Sequence, residues 1–136
     1  MSQAFRVLLV EDDEALRLCL DEFLVSNGWD VAATGFGPEA VELARRQRFD
    51  FSILDLHLPG MTGLEVLKAI CARRPIPSIM MSGLASSEET AAAQQAGVFT
   101  FLRKPLELDR LRQSVHLLIQ HHFGGPLGRP GFHGTR

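Results

Sequence analysis

Short apolar runs alternate with amphipathic stretches along most of the chain. The runs are strand-sized and almost continuously apolar, and they cover residues 6–10, 31–34, 51–54, 78–81 and 99–102. Such runs are typical of strands that are buried on both faces of a sheet. The stretches that follow them carry apolar residues at helical spacing and are predicted as helices over residues 14–27, 38–46, 64–73, 86–96 and 108–122. Five strand–helix repeats predict an α/β fold with a parallel sheet covered on both faces, although the pattern leaves the strand order open.

Residues that commonly begin or end helices stand at several predicted boundaries. Gly28 can end the first helix, because glycine readily adopts the left-handed backbone found there. Pro38 suits the first turn of the second helix. Ser86 or Ser87 can cap the fourth helix through its hydroxyl. Trp29 is expected to anchor the start of the second strand.

The chain has 136 residues, a length typical of one domain with a sizeable core. We expect this domain to cover residues 1–123. Residues 124–136 are rich in glycine and proline without periodicity, and we expect them to form a flexible tail. The formal net charge of −2 provides no general attraction to nucleic acids or anionic membranes. No apolar run can span a bilayer, and the N-terminus lacks the apolar segment of a signal peptide, so we expect a cytoplasmic protein.

The two cysteines, Cys19 and Cys71, do not have the spacing of metal or redox motifs. Cys19 shares its predicted helix face with Leu20 and Leu24. We therefore expect both cysteines to be buried structural thiols.

Polar residues follow or end four of the five predicted strands. Ligands of open α/β sheets bind outside the carboxyl ends of the strands, so side chains at those ends can share one pocket. If the strands are neighbours, that pocket would contain Glu11, Asp12, Asp13, Asp55, Ser82 and Lys104.

This set of side chains suits phosphoryl transfer. Clustered carboxylates resist ionisation unless a cation compensates them, and oxygen ligands favour Mg²⁺. Lys104 adds a positive charge, Ser82 adds a hydroxyl, and an aspartate can accept a phosphoryl group as an aspartyl phosphate. Taken alone, acids after a strand are usually a solvated helix start, and a serine there is usually a turn residue. The coincidence at four strand ends favours the functional interpretation.

The chain resembles the receiver domains of bacterial two-component response regulators over about residues 5–122. The stretches that carry the resemblance are VLLVEDDEALR, ILDLHLPGMTGLEVL, IMMSGLASSEE and GVFTFLRKPLELDRL. The resemblance implies a flavodoxin-like fold, a doubly wound parallel sheet with strand order 2-1-3-4-5. It also implies a phosphorylation-dependent signalling switch rather than an enzyme that acts on a separate substrate.

The resemblance further implies roles for individual residues. Asp55 would be the phosphoacceptor, and Ser82 and Lys104 would contact the phosphoryl oxygens. Mg²⁺ would bind directly to Asp12, Asp55 and the backbone carbonyl of His57, and Glu11 would usually act through a water molecule.

Other positions are expected to transmit or time the signal. Phe101 stands at the aromatic switch position, where its ring would respond to Ser82. Lys104 and Pro105 are expected to be joined by a cis peptide bond. His57 and Leu84 stand two residues after Asp55 and Ser82, and both would modulate the lifetime of the phosphoryl group. The commonest family pattern has another residue type at His57, and a solvent-facing histidine is the plainer interpretation.

The expected donor is a histidine kinase or a phosphotransfer protein. The expected output is a change in the surface formed by the fourth helix, fifth strand and fifth helix, read by an unknown protein or by a second copy of the chain. No DNA-binding or enzymatic output domain is expected after the tail, and no direct binding of nucleic acid or membrane.

Four alternatives compete with this reading. A receiver cut from a longer regulator with a DNA-binding or enzymatic output domain is the first. A phosphatase of the haloacid-dehalogenase type would carry a second acid at His57, and a flavin-binding module would have a phosphate cradle where the chain is acidic. A pseudo-receiver that only docks is disfavoured by the complete pocket.

Overall fold

Residues 4–124 are described by a computed structural model, and residues 125–136 of the predicted tail lie outside this range. Strands and helices alternate through the described chain as the apolar pattern predicts. The strands are β1 (Arg6–Val10), β2 (Asp30–Thr34), β3 (Phe51–Asp55), β4 (Ser78–Ser82) and β5 (Thr100–Arg103). The helices are α1 (Glu14–Ser26), α2 (Gly37–Arg46), α3 (Gly63–Cys71), α4 (Ser87–Gln95) and α5 (Leu108–Phe123).

The five strands form one parallel sheet in the order β2-β1-β3-β4-β5. This order confirms the predicted flavodoxin-like fold. One apolar cluster joins α1 and α5 to one sheet face, and a second joins α2 and α3 to the other. Every residue of β3 and β4 is buried, as expected for central strands. The edge strands β2 and β5 are only partly buried, so the expectation of burial on both faces fails for these two strands.

The helix boundaries follow local capping chemistry. Asp13 caps α1 by accepting a hydrogen bond from the Leu16 amide at 2.9 Å. Ser86 caps α4, which confirms one of the two predicted candidates, and α4 begins with a complete capping box. Beyond the end of α1, Gly28 has a φ of +92°, which explains the glycine at that turn.

Cys19 is exposed, so the expectation that both cysteines are buried is wrong. The apolar face of α1 that reaches the sheet is narrower than the sequence suggests. Leu20 and Leu24 are fully buried, whereas Leu18 remains 55% exposed. Cys19 lies with Leu18 on the exposed side of α1, and Cys71 is partly buried.

Trp29 does pack at the start of β2, with 8% of its surface exposed. Its ring meets Phe51 and His116 edge-on, at centroid distances of 6.1 and 5.9 Å. Within residues 4–124, no helix combines the length and apolar character needed to cross a membrane.

Candidate phosphoacceptor pocket

The carboxyl ends of β1, β3, β4 and β5 lie side by side and bring the predicted polar residues together. Glu11 follows β1 directly, Asp55 and Ser82 are the last residues of β3 and β4, and Lys104 follows β5. Each is placed by a parallel pairing of β1 with β3, β3 with β4, or β4 with β5. Sheet order therefore assembles residues that are 93 positions apart along the chain.

One lysine bridges two buried acids in this pocket. The Nζ of Lys104 donates to Glu11 Oε1 at 2.7 Å and to Asp55 Oδ2 at 3.0 Å. Glu11 is 0% exposed and Asp55 is 4% exposed. Two carboxylates thus share one ammonium group, so this pocket contains more acidic groups than basic ones.

Burial and ion pairing affect the pKa values of these groups in opposite directions. Burial raises the pKa of Glu11, and hydrogen bonds from Lys104 and from the Asp13 amide offset this only partly. Burial is the largest single influence on the pKa of Lys104 and would lower it, but the hydrogen bonds to Glu11 and Asp55 and the charges of these two acids together raise that pKa. Lys104 is therefore held as a cation, whereas Glu11 is ionised only at a cost in free energy.

The acidic residues form a group with the donor set that suits a hard divalent cation. Glu11, Asp12 and Asp55 can each place one carboxylate oxygen so that all three oxygens lie within 4.8 Å of one another. Two of these acids are buried while Asp12 is exposed, so the site is open on one side. Mg²⁺ favours one or two carboxylates with several retained waters, and the chemistry of this donor set fits it.

The loop that follows Asp55 is packed tightly against the strand. Gly63, the first residue of α3, approaches β3 so closely that an added Cβ would lie 2.1 Å from the Asp55 carbonyl oxygen. Its amide donates to the Leu56 carbonyl at 2.7 Å. Only glycine allows this approach, which holds the end of β3 against the start of α3.

His57 links the pocket to helix α4. Its Nδ1 lies 3.1 Å from Ser82 Oγ, and its Nε2 lies 3.1 Å from Glu89 Oε2. Its backbone amide faces Asp55 Oδ1 at 3.2 Å. The Leu84 amide donates to Ser82 Oγ at 3.2 Å, while the Leu84 side chain is 88% exposed. His57 is therefore exposed, as the plainer interpretation expects, but both of its ring nitrogens have side-chain partners.

Phe101, one of the two expected switch residues, lies on β5, and the expected cis peptide bond follows that strand. Phe101 is partly buried and packs against the apolar cluster on the α2 and α3 side of the sheet. The peptide bond between Lys104 and Pro105 is cis.

Two contributors to the pocket were missed by sequence reasoning. Arg17 donates to the Glu11 carbonyl at 2.9 Å and so steadies the acidic loop from α1. Glu89 reaches His57 across 32 positions of sequence. The motif Ser86-x-x-Glu89 is readable as a capping box, but a local motif gives no signal for the histidine contact.

The fold and the pocket together define an α/β protein with an acidic site at the strand ends, and known proteins share this arrangement. The family described as "Response regulator receiver domain" matches residues 7–116. The chain is 32% identical over 120 residues to the "Cell cycle response regulator CtrA" of Brucella ovis, covering 88% of this chain and 52% of that protein. It therefore spans about half the length of this curated relative.

Solved structures agree with this match. A CheY-like response regulator receiver domain protein from Methanospirillum hungatei has a TM-score of 0.84 and 26% identity, covering 88% of this chain and 96% of that one. The receiver domain of sensor histidine kinase PA1611 from Pseudomonas aeruginosa, with a magnesium ion in its active-site cleft, has a TM-score of 0.75 and 29% identity. That match covers 90% of this chain and 100% of the other.

The chain belongs to the response regulator receiver domain family. Members of this family are phosphoacceptor regulators of two-component signalling and not classical enzymes. They typically bind Mg²⁺ at an acidic pocket and interact with histidine kinases or phosphotransfer proteins.

Proposed function

We propose that this chain is a phosphorylation-dependent switch that accepts a phosphoryl group on Asp55 from a histidine kinase or phosphotransfer protein. The observation that carries the proposal is the convergence of Glu11, Asp55 and Lys104 at the strand ends. Two buried acids there share one lysine. A pocket with excess buried acid is costly for folding alone, and it suits a cation and a transferred phosphoryl group.

The chain's own residues supply the nucleophile and its surroundings. A carboxylate oxygen of Asp55 forms a bond to phosphorus as the bond between phosphorus and the donor breaks, and the bonding electrons leave with the donor. Lys104 already contacts Asp55 and would neutralise charge on the phosphoryl oxygens. Ser82 would donate its hydroxyl to another of those oxygens.

Glu11, Asp12, Asp55 and the His57 carbonyl would hold Mg²⁺. The cation would supply charge neutralisation at the phosphoryl oxygens. In support, the three carboxylates can gather within 4.8 Å, and the similar receiver of PA1611 is described with magnesium in its cleft.

The output we propose is a change in the surface formed by α4, β5 and α5. Hydrogen bonding to the phosphoryl group would draw the Ser82 hydroxyl inward, and the Phe101 ring would fill the space vacated. Such a shift requires contacts that differ between the two states, and the bond between Ser82 and the phosphoryl group provides one. A partner protein or a second copy of the chain would read the changed surface.

A second candidate places the output in the same polypeptide. The chain spans about half the length of its cell-cycle relative, which leaves room there for a further domain. A DNA-binding or enzymatic output domain would then read the same α4-β5-α5 surface.

Intact mass after incubation with acetyl phosphate and Mg²⁺ tests the proposal. We expect one added phosphoryl group on the wild-type chain, none in excess chelator, and none on Asp55→Asn. Asp50→Asn is the matched control, because Asp50 is a partly buried aspartate immediately before β3, at the end opposite to Asp55. Full labelling of Asp55→Asn would contradict the assignment of the phosphoacceptor.

A further inference from the structure

A chain of side-chain contacts leads from the phosphoacceptor pocket to the first turn of α4. Ser82 Oγ lies 3.1 Å from His57 Nδ1, and the opposite ring nitrogen lies 3.1 Å from Glu89 Oε2. Ser82 is buried, whereas the side chains of His57 and Glu89 are 43% and 40% exposed. The histidine therefore spans from the pocket to the surface.

Glu89 divides its two carboxylate oxygens between two tasks. Oε1 accepts from the Ser86 amide at 2.9 Å and completes the capping box of α4, while Oε2 faces His57. A capping box needs only the first of these contacts. The second contact ties the start of α4 to the loop that follows the phosphoacceptor.

The positions of the protons follow from what each group can donate. An ionised carboxylate only accepts, so Nε2 of His57 carries the proton that reaches Glu89. In the neutral ring Nδ1 is then an acceptor, and the Ser82 hydroxyl must donate to it. Ser82 Oγ in turn accepts from the Leu84 amide at 3.2 Å.

A serine hydroxyl has one proton, and in this pocket two acceptors compete for it. In the free protein the acceptor is His57 Nδ1, and in the phosphorylated protein it would be a phosphoryl oxygen. We propose that Glu89 is a positioning residue that fixes the tautomer of His57. In that tautomer His57 Nδ1 accepts the Ser82 hydroxyl proton, and we call this hydrogen bond the latch. Phosphorylation of Asp55 must break it. This inference rests on the proposed phosphorylation of Asp55 and adds a residue of α4 to the switch.

Opening the latch has a direct consequence for α4. When the Ser82 proton turns to the phosphoryl group, Nδ1 loses its donor and the ring is held only through Glu89. The first turn of α4 then loses its connection to the pocket through Ser82. The helix that belongs to the proposed output surface is therefore linked to the site by side chains as well as by the sheet.

Glu89→Gln tests the latch with little change in shape. The amide oxygen can keep the bond to the Ser86 amide, and glutamine is accepted in capping boxes. The amide nitrogen then faces Nε2 and donates to it, so the proton of the ring moves to Nδ1. That nitrogen now donates to Ser82 Oγ, and the serine proton is free.

Glu65→Gln is the matched control. Glu65 forms the same capping box with Thr62 at the start of α3, and no histidine contact accompanies it among the hydrogen bonds described for residues 4–124. The first measurement is the ¹⁵N chemical shift of the His57 ring nitrogens in the free protein, at about pH 8.5 where imidazoles are generally neutral. The second is the affinity for beryllofluoride, a phosphoryl mimic, in the presence of Mg²⁺.

We expect the Nε2-protonated tautomer in the wild-type chain and in Glu65→Gln, and the Nδ1-protonated tautomer in Glu89→Gln. Beryllofluoride should bind Glu89→Gln about fivefold more tightly than wild type, the size of one hydrogen bond's net contribution. Glu65→Gln should bind it as wild type does. An unchanged tautomer and unchanged affinity in Glu89→Gln would overturn the latch.

Failure of the proposed function gives a different result. If the wild-type chain neither binds beryllofluoride nor gains a phosphoryl group, the role of Asp55 is wrong. The tautomer comparison in the free protein still decides whether Glu89 positions His57, because it requires no phosphorylation.

Discussion

The two ends of the sheet each hold partly or fully buried acid, but the charges around that acid differ. At the carboxyl end, Glu11 and Asp55 share Lys104. At the amino end, Asp50 accepts from the Arg6 amide at 2.7 Å. Burial raises the pKa of Glu11 and of Asp50 alike.

The difference lies in which charge is in excess. The carboxyl end has two buried acids for one lysine. Around Asp50, by contrast, the positive charges of Arg74, Arg6 and Arg48 all lower its pKa and partly offset burial. Arg74 also donates to the Phe49 carbonyl at 3.1 Å, which is a structural bond. Burial of an acid is thus common to both ends, and the excess of buried acids over basic side chains distinguishes the carboxyl end.

Removal of the lysine should produce the largest effect. Lys104→Met leaves Glu11 and Asp55 buried without an ion pair, and we expect it to destabilise the metal-free protein by about 2–3 kcal/mol. This is below the usual cost of breaking a buried pair, because the Lys104 side chain is 22% exposed and partly screened by solvent. Urea unfolding measures the change, and millimolar Mg²⁺ should restore part of the loss.

The control at the other end is Arg48→Met, which removes an exposed arginine near Asp50. We expect a change below about 0.5 kcal/mol, as for most surface substitutions. Equal stability losses in the two variants would remove the distinction between the ends of the sheet.

A smaller effect should separate two neighbouring acids. Asp12→Asn removes an expected metal ligand, and we expect Mg²⁺ affinity to fall roughly tenfold. Asp13→Asn removes the same charge, but Asp13 caps α1 and asparagine can also cap. Its Mg²⁺ affinity should fall less than about threefold, since only the long-range field changes. Titration calorimetry compares them, and equal losses would indicate general attraction in place of ligation.

The smallest effect concerns the acid at the amino end. Because burial raises the folded-state pKa of Asp50, its contribution to stability is fully present below the ordinary aspartate pKa and is lost as pH rises through the folded-state value. Relative to Asp50→Asn, the wild-type chain should therefore become less stable between about pH 3 and pH 6. Urea unfolding of both proteins at several pH values checks this sign. A wild-type chain that gains relative stability over the same interval would show that the arginines outweigh burial.

Much of the fold was readable from the sequence because its signals are local. Apolar runs and helical spacing located all ten elements to within one or two residues of the described boundaries. Capping residues such as Ser86 act within one turn, so their role is also written in a short motif. The edge position of β2 was not readable from its own residues, because strand order determines how much of a strand is covered.

The candidate site also has a part that local sequence signals predict and a part that only the tertiary structure determines. The residue types and their positions at strand ends, with the family motifs, were enough to nominate Asp55, Ser82 and Lys104 from the sequence alone. The tertiary structure decided which of the possible partners each side chain meets, because distances across a sheet depend on strand order and register. It left Cys19 exposed on α1, and it made Glu89, which also completes the capping box of α4, a partner of His57. The sequence thus determined which chemical groups are available. Only the packing of α4 against the loop after β3 brings Glu89 to His57, 32 positions away, so that one carboxylate contacts both His57 and the Ser86 amide.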